Sequence, residues 1–156
     1  MDRMRKLIEA AIVASPYGRL LGVVCEEIAE DRVRVRLPYR ADVTTVGDMV
    51  HGGAIASLAD VVATAACWAS PRVAAGSRGT TIALSLQFLN AGRGQDLLAT
   101  AEVIQRGKSV CVAEVSVEGR DGTLVARASA TYKLSAPDAA RKAAPQPAAE
   151  PVASLS

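Results

Sequence analysis

Asp60 is the only charged side chain in the stretch from Gly52 to Ala69, the most hydrophobic part of the chain. An unpaired carboxylate in apolar surroundings costs several kcal/mol, roughly, unless it finds donors or takes up a proton. Ser57 lies one helical turn before it and Thr64 one turn after, so the three form a single polar line on one side of a helix. A carboxylate so placed can serve as base or nucleophile. It can also simply bond neighbouring backbone or face solvent at a sheet edge. Just upstream, His51-Gly52-Gly53 puts two glycines where the free N–H groups of a first helical turn point outward. Such donors stabilise a carbonyl oxygen that becomes an oxyanion during attack. Nine positions separate His51 from Asp60, roughly 13 Å at the helical rise, which is far for one subunit to span. Two antiparallel copies could set the helix start of one against Asp60 of the other.

The elements that must position these groups follow from periodicity. Leu7, Ile8, Ala11 and Ile12 predict a short amphipathic helix over 2–14, stopped by Ser15-Pro16-Tyr17-Gly18. Strands are predicted over Leu20–Glu30 and Arg32–Tyr39, the second alternating between arginine and apolar residues from Arg32 to Leu37. A polar loop over 40–51 precedes the apolar helix. Four more strands follow, Thr80–Leu89, Leu97–Gln105, Ser109–Glu118 and Thr123–Leu134, separated by turn-forming residues. The helix is apolar around nearly its whole circumference, so something must wrap it. The order predicts an α+β fold, an antiparallel sheet curved around one central helix. After Ser135 the composition turns to Ala, Pro, Lys, Gln and Ser. The chain thus divides into an N-terminal helix, 1–14, a central domain, 15–135, and a tail, 136–156, expected to be disordered.

Composition removes several classes of function. Of 156 residues half are hydrophobic, yet only five are aromatic, so the chain lacks the stacking platforms that single-stranded nucleic acid requires. A formal charge of +2 with both signs mixed gives no polyanion-binding surface. Cys25, Cys67 and Cys111 form no short pair and read as reduced, buried hydrophobes, with no metal site. No secretory leader or membrane span is recognisable, and the expected location is the cytoplasm.

The segment His51-Gly52-Gly53-Ala54-Ile55-Ala56-Ser57-Leu58-Ala59-Asp60 resembles the H-G-G-x-x-x-x-L-x-D signature of hotdog-fold acyl-CoA thioesterases, specifically the phenylacetate-pathway (PaaI-like) branch. The resemblance covers residues 15–134 and implies a hotdog dimer, usually paired again into a tetramer, that hydrolyses acyl-CoA to free acid and CoA. It implies that the Gly52 N–H polarises the thioester carbonyl and that Asp60 of the opposite subunit attacks or activates water. Thr81, with Thr80 as its neighbour, matches a Ser that orients the water. Thr45 stands where many members have an Asn assisting the oxyanion site. The turn Gln105-Arg106-Gly107-Lys108-Ser109 matches the one that meets the CoA phosphates and pantetheine arm. His51, Gly53, Phe88, Asn90 and Lys133 match further substrate-facing positions, His51 being structural rather than a base. CoA enters only as part of the substrate, and no separate cofactor is implied. Two alternatives are a hotdog protein that binds acyl-CoA without turning it over, suggested by Thr45, and a hotdog dehydratase or hydratase. The latter needs a catalytic His in a different pattern.

Overall fold

The computed structural model describes residues 2–137. Helix α1 (Asp2–Ile8) runs into a π-helical turn (Glu9–Val13), so the predicted first helix is continuous in direction but changes its winding midway. Ser15 then starts a helix as well as ending one. Its hydroxyl accepts the Gly18 N–H at 3.1 Å and Pro16 occupies the first turn of α2 (Pro16–Leu21), where a missing N–H costs nothing. Gly22, at φ 69°, ends α2 in the left-handed conformation. The first strand therefore begins at Val24, later than predicted, because Leu20 and Leu21 belong to α2.

Six antiparallel strands follow in one sheet: β1 (Val24–Ala29), β2 (Arg32–Leu37), β3 (Arg78–Phe88), β4 (Leu97–Arg106), β5 (Val110–Gly119) and β6 (Leu124–Ser135), in the spatial order β1-β2-β4-β5-β6-β3. Helix α3 (Gly52–Trp68) crosses one face of the sheet and packs mainly on β2, β4 and β5. The alternation in β2 sends Val33, Val35 and Leu37 inward and the arginines outward. Facing α3 are Ala99 and Ala101 of β4, Ala113 of β5, and Ala128 and Ala130 of β6; the helix answers with Ala59, Ala63, Ala65 and Ala66, all buried. Small side chains on both surfaces let the helix lie close against the strands, which is how a core with few aromatics is filled. Strand β3 is an edge of the sheet, bonded only to β6, and carries Ile82 and Phe88, each 56% exposed.

The C-terminal end of α3 is tied down from two sides. Arg106, at the end of β4, is 9% exposed; its guanidinium binds Asp31 Oδ1 through Nε at 2.9 Å and Nη2 at 2.5 Å, and donates to the Cys67 carbonyl at 3.0 Å. Asp31 occupies the β1–β2 turn at φ 59° and gives its N–H to the Ala69 carbonyl at 2.7 Å. One ion pair thus satisfies the carbonyls that the helix end leaves open and joins two strand ends to it. At the other end of β2, Asp96 accepts the Tyr39 N–H at 2.8 Å and pairs with Arg36 at 3.1 Å. That N–H, with Arg36 and Arg120 beside it, holds the carboxyl below its ordinary value.

Segment 138–156, which contains most of the expected disordered tail, lies outside the described residues. Among the described residues no helix is long and apolar enough to cross a membrane.

Arg106→Met should lower stability by about 3 kcal/mol, because Asp31 and the helix carbonyls lose their partner together, read as a reduced urea midpoint with unchanged slope. Asp96→Asn should destabilise at neutral pH. Because the folded value is depressed, this contribution is present above about pH 4 and vanishes as pH falls through the lower folded value. The denaturation curves of variant and parent should therefore converge in acid.

Candidate active site

Asp60 sits midway along α3, half-buried, and its Oδ1 accepts a hydrogen bond from the Thr81 hydroxyl at 2.7 Å. Of the two adjacent threonines, Thr81 is the one that reaches it. Leu84 and Leu86 point inward along β3, so unbroken alternation would bring Thr80 to that face; a β-bulge between Thr81 and Ala83 shifts the phase and brings Thr81 instead. Asp60 opens on a cavity of about 820 Å³. Thr64 and Trp68 continue its wall along α3; Met4, Leu7 and Ile12 close it from the N-terminal segment, and residues 70, 71 and 73–77 from the other side. Burial raises the titration of Tyr132, which also lines the cavity, and the nearby Asp60 charge adds to the shift.

The start of α3 is built around His51. Its Nδ1 accepts the Gly53 N–H at 2.8 Å, so the imidazole caps the helix and carries no proton on that nitrogen. A Cβ on Gly53 would stand 2.9 Å from that nitrogen, which accounts for the second glycine. The Ala54 and Ile55 N–H groups bond to the His51 carbonyl. The Gly52 N–H is left as a first-turn donor without a partner among the described residues. The Phe88 ring lies over Gly52, 3.3 Å from where a Cβ would be, so only glycine lets the ring approach so closely.

His51, Gly53 and Ser57 line a second, open groove, distinct from the cavity of Asp60. Tyr17 borders both. Its hydroxyl lies 2.7 Å from Ser57 Oγ; Ser57 spends its own proton on the Gly53 carbonyl at 2.8 Å, so Tyr17 is the donor. In the sequence Ser-Pro-Tyr-Gly marks only a helix stop, and nothing in it signals the Tyr17 contact. Within one chain the helix start and Asp60 therefore face different spaces.

The other candidate residues are distributed unevenly. Gly107, Lys108 and Ser109 line a third cavity of about 470 Å³ together with Arg72, Val73 and Ala74. Arg106 borders the same cavity, and a β-bulge between Val103 and Gln105 turns its side chain inward opposite Cys111, where Asp31 and the helix end engage its guanidinium. Asn90 gives its amide to the Leu124 carbonyl at 2.8 Å. Lys133 is exposed on β6, opposite Thr80 and Val110. Thr45 is exposed in the loop before α3, where its N–H binds the Met49 carbonyl; it lines none of these spaces. Cys67 and Cys111 are fully buried, whereas Cys25 is only half-buried. Burial, with Cys111 beside it, pushes the Cys67 thiol up to about 12, so it stays protonated and is no nucleophile. No cluster of potential metal ligands occurs among the described residues.

A six-stranded antiparallel sheet around one helix, with a glycine pair at the helix start and a buttressed carboxylate inside it, defines a hotdog-fold thioester hydrolase. Residues 47–126 match the family model of the thioesterase superfamily. A putative esterase of Halobacterium salinarum is 36% identical over 119 residues, 74% of this chain and 78% of the relative. The medium/long-chain acyl-CoA thioesterase YigI of Escherichia coli is 30% identical over 149 residues, 85% of this chain and 95% of the relative. In fold, the chain is similar to the E. coli PaaI protein, with TM-score 0.75 and 23% identity.

 That alignment spans 85% of this chain and 93% of the PaaI chain. The chain belongs to the thioesterase superfamily.

Thr81→Val, which keeps the shape and deletes the hydroxyl, should lower kcat for thioester hydrolysis about tenfold to a hundredfold, while Thr81→Ser should stay near the parent value. Thiol release under saturating substrate reads both.

Proposed function

We propose that the protein hydrolyses acyl-CoA thioesters, with a medium-chain or aryl acyl group, to free acid and CoA, as a member of the PaaI-like branch. The observation that carries this reading is the pairing of Thr81 with Asp60, which lines a cavity with no cation among its described residues. A carboxylate held by one hydroxyl keeps its second oxygen available to attack the thioester carbonyl or to take a proton from water. Water supplies the new oxygen of the acid, and the CoA sulfur leaves as the thiol. The unpaired Gly52 N–H is the donor to the oxyanion. Lys108 and Arg72, with Gly107 and Ser109 between strands, offer charge and backbone to the CoA phosphates. The name of the E. coli relative supports an acyl-CoA substrate.

The catalytic unit in this reading is a dimer, with Asp60 of one subunit facing Gly52 of the other, and two dimers pair again. Two features support it: the helix start and Asp60 open on different spaces, and β3 leaves a long apolar edge with Ile82, Phe88 and Leu89 exposed. The setting is the cytoplasm, and no cofactor beyond the substrate's CoA takes part.

Asp60→Asn should reduce thiol release from octanoyl-CoA or phenylacetyl-CoA by about a thousandfold with folding and assembly unchanged. Gly52→Pro deletes the donor at a helix position whose backbone accepts proline, its ring displacing Phe88 from its close approach. Each variant alone should be inactive, and subunits of the two, unfolded and refolded together, should regain activity through one intact site per mixed dimer. No recovery in a mixture shown to contain mixed dimers would sink the cross-subunit arrangement.

A further inference from the structure

Trp68 and Tyr132 meet at the far end of the Asp60 cavity, and neither has a role in the chemistry above. Asp60, Thr64 and Trp68 line that cavity at successive turns of α3. It therefore runs along the helix for eight residues, roughly 12 Å, the extended length of an acyl chain of about ten carbons. Met4, Leu7, Ile12 and Val61 give it apolar walls. The Trp68 indole N–H donates to the Tyr132 hydroxyl at 2.9 Å. That bond engages the polar atoms of both rings with one another, so the wall can present ring carbon to an alkyl chain. The position of Tyr132 is itself built: a Cβ on Gly79 would fall 2.3 Å from its ring, so glycine on β3 is what admits the tyrosine. Tyr132 is 5% exposed and held on both sides, which makes the wall a fixed one.

We infer that the Trp68–Tyr132 pair is the stop that sets acyl-chain length, with the thioester carbonyl at Asp60 and the chain running toward the C-terminal end of α3. This rests on the acyl-CoA reading above and adds to it the residues that choose among substrates. The cavity suits the acyl chain better than the CoA nucleotide, whose phosphates call for cations; Arg72 and Lys108 lie in the neighbouring cavity instead.

The test is kcat/KM for straight-chain acyl-CoAs from six to eighteen carbons, measured for the parent, Trp68→Ala, Trp68→Leu and Trp68→Phe. The parent should decline beyond about ten to twelve carbons. Trp68→Ala should move the optimum to longer chains and raise the ratio of sixteen-carbon to eight-carbon kcat/KM about tenfold, the effect of seating further methylenes. Trp68→Leu should shift it less, and Trp68→Phe should keep the parent profile. Thermal melts and size-exclusion chromatography identify any variant that has lost its fold; Leu and Ala are compared so that one folded, enlarged cavity is available, and Tyr132→Phe probes the same wall from β6. An unchanged profile in the folded variants overturns the inference. So does a uniform loss across all chain lengths, which would place the pantetheine arm in this cavity. A parent enzyme that releases no thiol from any acyl-CoA defeats the acyl-CoA reading itself, an outcome separate from either.

Discussion

The rest of the structure depends on how the two ends of α3 are satisfied inside the fold. A helix this apolar gains by burial, but burial takes water away from its terminal N–H and C=O groups. His51 answers at one end with a ring nitrogen and Arg106 at the other with a guanidinium braced by Asp31. His51 fixes where the helix begins, and Arg106 with Asp31 ties its end to the strands. Asp60 stands opposite Thr81 because α3 cannot slide along the sheet without breaking the Arg106 and Asp31 contacts.

The two ends are satisfied differently, and the difference matters for chemistry. At the C-terminal end, charge and backbone contacts occupy the carbonyls. At the N-terminal end His51 takes one donor and leaves the Gly52 N–H unengaged among the described residues. The helix thus keeps its free polarity where a developing negative charge would be welcome.

Much of this was legible in the amino-acid pattern. The arginine–valine alternation of β2, the long apolar helix and the turn residues between the last four strands placed most elements within a few positions. The carboxylate was visible because nothing else near it carries charge. What was hidden has a common cause in the β-bulges. One extra residue reverses which side chains face inward, and it leaves little trace in composition; that is why Arg106 turned out to be a helix anchor and why Thr80 and Thr81 could not be separated. The segment Ser15-Pro16-Tyr17-Gly18 misled for another reason: serine and proline end one helix and begin the next with the same atoms.

The alanines between α3 and the sheet carry a further consequence for how such a protein can change over generations. A residue already near minimal size can mutate almost only toward something larger, and a close-packed interface has no room for it. Variation in the interior is therefore blocked in one direction and nearly exhausted in the other. The cavity wall is under no such restriction, since its side chains border empty space. Descendants of this sequence would diversify along that wall while their helix–sheet contact stayed almost unchanged.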